Sequence, residues 1–213
     1  MDLKAEAERV VGLAKSKKLT LLTVESCTAG ALACALAEAE GAGEVLHGGF
    51  VVYSKENKSF TVGVPVEVIS EHTAVSAQVA KAMAVGGVER SPADIALAVT
   101  GVAGPDPDED GNPVGLVFIS AATRDGRVLE ERLTLSGNKS AICNAAMKAA
   151  LHSSLPLCVG PQERECSPKN NFPLNTLGHA HHGLRILAPD AGGAVAMPVA
   201  LALWLCGLRL HHR

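Results

Sequence analysis

The residues Glu25-Ser26-Cys27-Thr28-Ala29-Gly30 follow directly on the apolar run Leu19 to Val24. A strand that ends in hydroxyl and glycine residues and leads into a helix presents Ser26 and unpaired backbone N–H groups at one exposed edge, as nucleophiles are often presented. A second apolar run, Phe50 to Val52, precedes Tyr53-Ser54-Lys55-Glu56-Asn57-Lys58 and can bring a lysine to the same edge. Serine needs a base within hydrogen-bond reach to take its proton as it attacks. Lysine serves as that base only when desolvation or a nearby cation lowers its pKa from about 10.4 toward 7 to 8. Lys58 is expected to be so placed if its helix packs an apolar face near Phe60, and Tyr53 can orient it or relay a proton. N–H groups of Cys27, Thr28 or Ala29 near a helix N-terminus would stabilise an acyl-transfer oxyanion.

A plainer reading stands beside this one: a serine at a helix start is a cap, a lysine is solvated, and a tyrosine at a strand end is an amphipathic surface residue. Cys27 is a rival nucleophile whose alternating side chain is expected to point into the core. His47 and His72 are further candidate bases. A second glycine-rich strand exit, Thr100-Gly101-Val102-Ala103-Gly104-Pro105, offers backbone amides for a phosphate or carboxylate. Lys139, at the start of a helix, can add a charge-assisted contact to an anion, or simply stand solvated.

The elements that must position these groups alternate along the chain. Leu3, Ala7, Val10, Val11 and Ala14 recur at helical spacing, and the pattern stops near Lys15 to Lys18. A strand is expected at Leu19 to Val24, a helix from Thr28 to Ala39, and a strand from His47 to Tyr53. A short helix carries Lys58 and Phe60, and another turn or two is expected over Val66 to Glu71. Ser76 is a good N-cap for a helix over Ala77 to Val88. The nearly continuous apolar run Asp94 to Thr100 reads as a central strand covered on both faces. Asp106 to Pro113 reads as an acidic surface loop. Val114 to Thr123 and Arg127 to Leu135 read as strands around the turn Asp125-Gly126, followed by a helix over Ala141 to Leu155. This alternation predicts an α/β fold, a three-layer α/β/α sandwich with a mixed sheet.

Past Pro156 the periodicity lapses, so residues 156–213 read as an irregular extension to a domain at 1–155. Within that extension the uncharged apolar run 191–208 barely reaches the length of a membrane span, and its Gly and Pro content argues against membrane attachment. With 213 residues, 47% hydrophobic content and a net charge of −3, the chain is a globular protein with no polyanion-binding footprint. Aromatic content of 3% is too low for base-stacking platforms, so no nucleic-acid partner is expected. Six irregularly spaced cysteines and a charged N-terminal start point to a reducing, cytoplasmic setting. Cys158, Cys166, His179, His181 and His182 fit no common zinc spacing. Neither metal nor organic cofactor is expected.

Taken in order, Glu25-Ser26-Cys27-Thr28-Ala29-Gly30, Gly49-Phe50-Val51-Val52-Tyr53-Ser54 with Lys58, Gly63-Val64-Pro65, His72-Thr73-Ala74-Val75-Ser76, Thr100-Gly101-Val102-Ala103-Gly104-Pro105 and Pro113-Val114-Gly115-Leu116-Val117 resemble the CinA C-terminal domain family. That family includes the bacterial nicotinamide mononucleotide deamidases. The resemblance runs from about Val10 to Leu155. It implies a metal-free amidohydrolase that converts nicotinamide mononucleotide to nicotinic acid mononucleotide and ammonia. The nucleophile would be Ser26 and the base Lys58, with Tyr53 nearby. Thr28, Ala29, Gly30, Thr100, Gly101, Gly104 and Lys139 would contact substrate. A homo-oligomer is expected. An amidase for another small amide, or a non-catalytic member that binds a nucleotide or a partner, are the alternatives. The molybdopterin-binding-like module that often precedes this domain in the family is not expected in this chain, and its pyrophosphatase activity is not carried over. The chain departs from the family's usual pattern at Ala29 and Thr73, where glycine is usual, at Gly48, where arginine is usual, and at Lys139, where arginine is usual. Lysine keeps the charge of arginine and loses its bidentate fork.

Overall fold

The structure, a computed structural model, describes residues 2–159. Residues 160–213 lie outside it, and with them most of the expected extension, the apolar run 191–208, and Cys166, His179, His181 and His182. The apolar runs form β1 (Leu21–Glu25), β2 (Leu46–Val51), β3 (Ile95–Gly101), β4 (Leu116–Thr123) and β5 (Val128–Thr134). They make one five-stranded sheet in the order β2-β1-β3-β4-β5. β1 runs parallel to both β2 and β3, whereas β4 is antiparallel to β3 and β5 to β4. The sheet is therefore mixed, with the expected hairpin around Asp125-Gly126. Every residue of β3 except Gly101 is buried, as its unbroken apolar run requires of a central strand.

Side chains alternate between the two sheet faces and build two cores. Leu21, Ile95, Leu97, Val99, Val117 and Ile119 pack with α1 (Leu3–Lys17), α2 (Ala31–Ala37) and α7 (Lys139–Val159). Leu22, Val24, Ala96 and Ala98 pack with α4 (Lys55–Val62), α5 (Val66–His72) and α6 (Ala77–Glu89) on the other face. A short α3 (Ala42–Val45) leads into β2. The architecture is the three-layer α/β/α sandwich that the alternating pattern predicts.

Local chemistry fixes several boundaries. Ser76 Oγ accepts from Val79 N at 3.3 Å and caps α6, as expected of its position. In the opposite layer α2 begins at Ala31 rather than at Thr28. Ala29 (φ 51°) and Gly30 (φ 98°) take left-handed conformations that a helix cannot include. At the other end of the described residues α7 continues through Pro156 to Val159, past the expected stop at Leu155. Pro156 removes one N–H late in the helix, and burial of Leu157 and Cys158 against the first core offsets that loss.

One close approach holds the helix that carries Lys58. A Cβ at Gly86 of α6 would stand 1.8 Å from the Val62 carbonyl oxygen at the end of α4, so only glycine lets these helices meet. Gly86→Ala is expected to lower stability by about 2 to 3 kcal/mol, the scale of overpacking in a tight core. Urea denaturation measures this, and an unchanged midpoint would contradict the packing described.

Candidate active site

The parallel strands β1, β2 and β3 end on the same side of the sheet; β1 connects to β2 through α2 on one face, and β2 returns past β1 to β3 through α4, α5 and α6 on the other. The crevice beyond the carboxyl ends of such strands, where the order reverses, is where open α/β sheets bind ligands. Here it is flanked by Ser26 from the β1 exit and by Thr100 to Gly104 from the β3 exit. The cleft is about 510 Å³, a size suited to a small molecule. Ser26, Tyr53, Lys58, Thr100, Gly101, Gly104 and Lys139, all singled out from sequence, line it.

Strand alternation decides what each residue of the first motif does. Ser26 faces the α4 layer, where the Lys58 Nζ lies 3.0 Å from its Oγ. Cys27 faces the opposite core, and burial pushes its thiol up to about 12, which leaves it protonated and unsuited to attack at neutral pH. Lys58 is among the largest fully buried side chains, at 1% exposure. Burial pushes its ammonium down to about 8, the Cys27 thiol opposes this, and the Lys55 charge adds to it.

The remaining contacts of Lys58 explain its aim. Nζ donates to Val52 O at 3.0 Å and to Tyr53 O at 3.2 Å. A neutral amine has two N–H bonds and one lone pair. With both N–H bonds given to those carbonyls, the lone pair is left facing the Ser26 hydroxyl. Tyr53 therefore orients Lys58 through its backbone carbonyl. Its side chain is 63% exposed, and its phenol makes no hydrogen bond to the amine.

The backbone donors are divided among fixed acceptors. Ser26 N donates to Val99 O at 2.9 Å and Ala29 N to Ser26 O at 3.1 Å. Gly30 N, Leu32 N and Ala33 N all donate to the Glu25 carboxylate. Cys27 N and Thr28 N donate to no acceptor among the described residues, so of the three amides expected for an oxyanion these two are free. Thr28, Ala29 and Gly30 do not line the cleft themselves. The Thr28 hydroxyl is buried and without a partner among the described residues.

The β3 exit supplies the second set of free amides. Val102 N is taken by Leu116 O at 2.9 Å, while Ala103 N and Gly104 N donate to no acceptor among the described residues. The Thr100 hydroxyl donates to Ala74 O at 2.9 Å and so holds the turn before α6 against the end of β3. In that turn Thr73 adopts φ 66° and ψ 165°, a region nearly confined to glycine. Its Oγ1 accepts from Asn112 Nδ2 at 3.1 Å, which ties the turn to the acidic loop. That loop forms one wall of the cleft through Asp106, Asp108, Glu109 and Asp110. Lys55 bonds Glu109 at 2.7 Å and Asp110 at 2.8 Å across the wall. The space around Gly48 is open, and neither it nor His47 or His72 lines the cleft.

Reading the sequence assigned no task to Glu25. The signal available was a carboxylate closing an apolar strand, since a buried acid there must find several donors.

A family profile described as the CinA C-terminal domain matches residues 3–157. A competence-damage inducible protein of Caldicellulosiruptor bescii is 44% identical over 152 residues, which are 71% of this chain and 37% of that protein. The chain spans about a third of the length of such competence-damage and CinA-like relatives. The nicotinamide-nucleotide amidohydrolase PncC of Escherichia coli K12 is 35% identical over 152 residues, 71% of this chain and 92% of that protein. The crystal structure of the competence/damage inducible protein CihA from Agrobacterium tumefaciens matches with a TM-score of 0.71 at 36% identity, covering 74% of this chain and 96% of that one.

Proposed function

The chain belongs to the CinA C-terminal domain family, and from that membership and the chemistry of its cleft we propose that it hydrolyses the carboxamide of nicotinamide mononucleotide to the carboxylate and ammonia. The observation that carries the proposal is the 3.0 Å contact between a buried Lys58 amine and the Ser26 hydroxyl. The 35% identity to a nicotinamide-nucleotide amidohydrolase over nearly its whole length supports the choice of substrate.

In this reading neutral Lys58 takes the Ser26 proton as Oγ bonds to the carboxamide carbon. The carbonyl oxygen becomes an oxyanion beside the unpaired N–H of Cys27, which lines the cleft. Lys58 then gives its proton to the amide nitrogen, the C–N bond breaks and ammonia leaves. Water attacks the resulting ester, Lys58 takes the proton of that water, and its return to Oγ restores Ser26. No step requires a group beyond these residues and water.

The phosphate of the substrate is assigned to the free Ala103 and Gly104 amides and to the Lys139 ammonium, which stands at the start of α7 beside the cleft. Purified protein should release ammonia from nicotinamide mononucleotide. Lys139→Ala should raise KM about tenfold with a smaller change in kcat, as expected when a charge-assisted contact is lost from ground and transition states alike. An unchanged KM would remove Lys139 from the phosphate site, and no ammonia release from this nucleotide would reject the substrate assignment.

A further inference from the structure

The carboxylate beside the nucleophile is wholly buried, at 0% exposure, yet it touches no cation among the described residues. Its Oε1 accepts from Thr23 Oγ1 at 2.9 Å and from Ala33 N at 2.8 Å. Its Oε2 accepts from Gly30 N at 2.9 Å and from Leu32 N at 3.0 Å. Every partner is a donor, so the four contacts fit an ionised carboxylate and leave no place for a side-chain N–H. Space for the Thr23 hydroxyl is made from the neighbouring strand, because a Cβ at Gly49 would lie 2.5 Å from Thr23 Oγ1. A line of contacts thus runs from β2 through Thr23 to Glu25 and on to the start of α2.

We infer that Glu25 is a positioning residue for the oxyanion site, a role that rests on reading Ser26 as the nucleophile. By capturing the N–H groups of Gly30, Leu32 and Ala33, the carboxylate fixes where α2 begins and holds Ala29 and Gly30 in their left-handed conformations. That bend separates the Cys27 and Thr28 amides from the helix and leaves them unpaired beside Ser26. The side chain never meets the reacting atoms. It acts by determining which backbone donors are free and where they point. An uncharged isostere cannot replace it: the carboxamide of Gln would turn its NH2 toward N–H groups and lose half of the acceptor capacity.

The experiment measures covalent labelling of Ser26 by a fluorophosphonate, in which Oγ displaces fluoride from phosphorus and the same amides stabilise the developing charge. This readout does not depend on which amide is the natural substrate. Glu25→Gln should melt cooperatively and label about a hundredfold more slowly than wild type, as expected when an oxyanion donor is misplaced. With an amide substrate the loss should fall on kcat and leave KM nearly unchanged. If Glu25→Gln does not melt cooperatively, Thr23→Val carries the test. It removes one donor to the carboxylate and should slow labelling roughly tenfold, on the scale of one hydrogen bond to a charged group, while Thr23→Ser restores the rate. Wild-type labelling rates in folded Glu25→Gln, or in Thr23→Val, overturn the inference alone. A wild-type chain that takes no label at Ser26 overturns the nucleophile assignment and this inference with it.

Discussion

Ser26→Ala is expected to reduce ammonia release by about 10⁴-fold or more, the scale seen when a covalent nucleophile is removed, with little change in the fold. The expectation follows from the division of tasks within the motif. Cys27 cannot substitute, because its thiol lies in the opposite core and is held up to about 12. Losing the hydroxyl removes one hydrogen-bond partner from Lys58, which still donates to Val52 O and Tyr53 O, so the helix that carries it stays anchored. Steady-state release measured beside a thermal melt separates the two effects. Residual activity within about tenfold of wild type in a folded variant would mean that water, not Ser26, attacks the amide.

The second large effect concerns Lys58. Lys58→Met should lower kcat/KM by about 10³-fold or more, since general-base assistance alone contributes 10² to 10⁴. In the wild type only the neutral amine accepts a proton. Activity should therefore rise with pH through an apparent pKa near 8 and level off above it. The same shift has a consequence for stability. In the unfolded chain the lysine titrates near 10.5, and in the folded chain near 8. Between these values the unfolded state binds more protons, so this group makes stability rise with pH across that window and penalises the fold below it. Cys27 acts with the opposite sign between 9.0 and about 12, because its folded pKa is raised. The difference between wild-type and Lys58→Met stability profiles isolates the lysine and should slope upward from pH 8 to 10.5. A flat difference, together with a rate independent of pH from 7 to 9, would place the amine in solvent rather than in the site.

Much of this was legible in the residues because the signals were local. An unbroken apolar run has few places in a layered fold other than a central strand, and β3 occupies one. Ser26 and Lys58 each follow an apolar run that proved to be one of two neighbouring parallel strands, so their meeting needed only the β1–β2 pairing. What was not legible depended on where side chains find partners. Tyr53 invites a role for its phenol, and its backbone carbonyl does the orienting instead. The start of α2 depends on three N–H groups turning to Glu25, which helix propensity at Thr28 and Ala29 does not register. The end of α7 depends on Leu157 and Cys158 finding the first core after a proline. The departures from the family's usual glycines at Ala29 and Thr73 fall on two of the described non-glycine residues with positive φ. There the chain accepts local strain of about 1 to 3 kcal/mol per residue at Thr73-like conformations, and less for a left-handed alanine.

The central claim is that amide hydrolysis proceeds through an ester on Ser26, and rapid acid quench followed by mass spectrometry of the Ser26-bearing peptide tests it most directly. Mixed with excess nicotinamide mononucleotide, the wild-type chain should carry a nicotinate mononucleotide ester on that peptide, formed together with the first equivalent of ammonia and absent in Ser26→Ala. Ammonia released at the wild-type rate by Ser26→Ala, with no adduct on the wild-type peptide at any quench time, would contradict it.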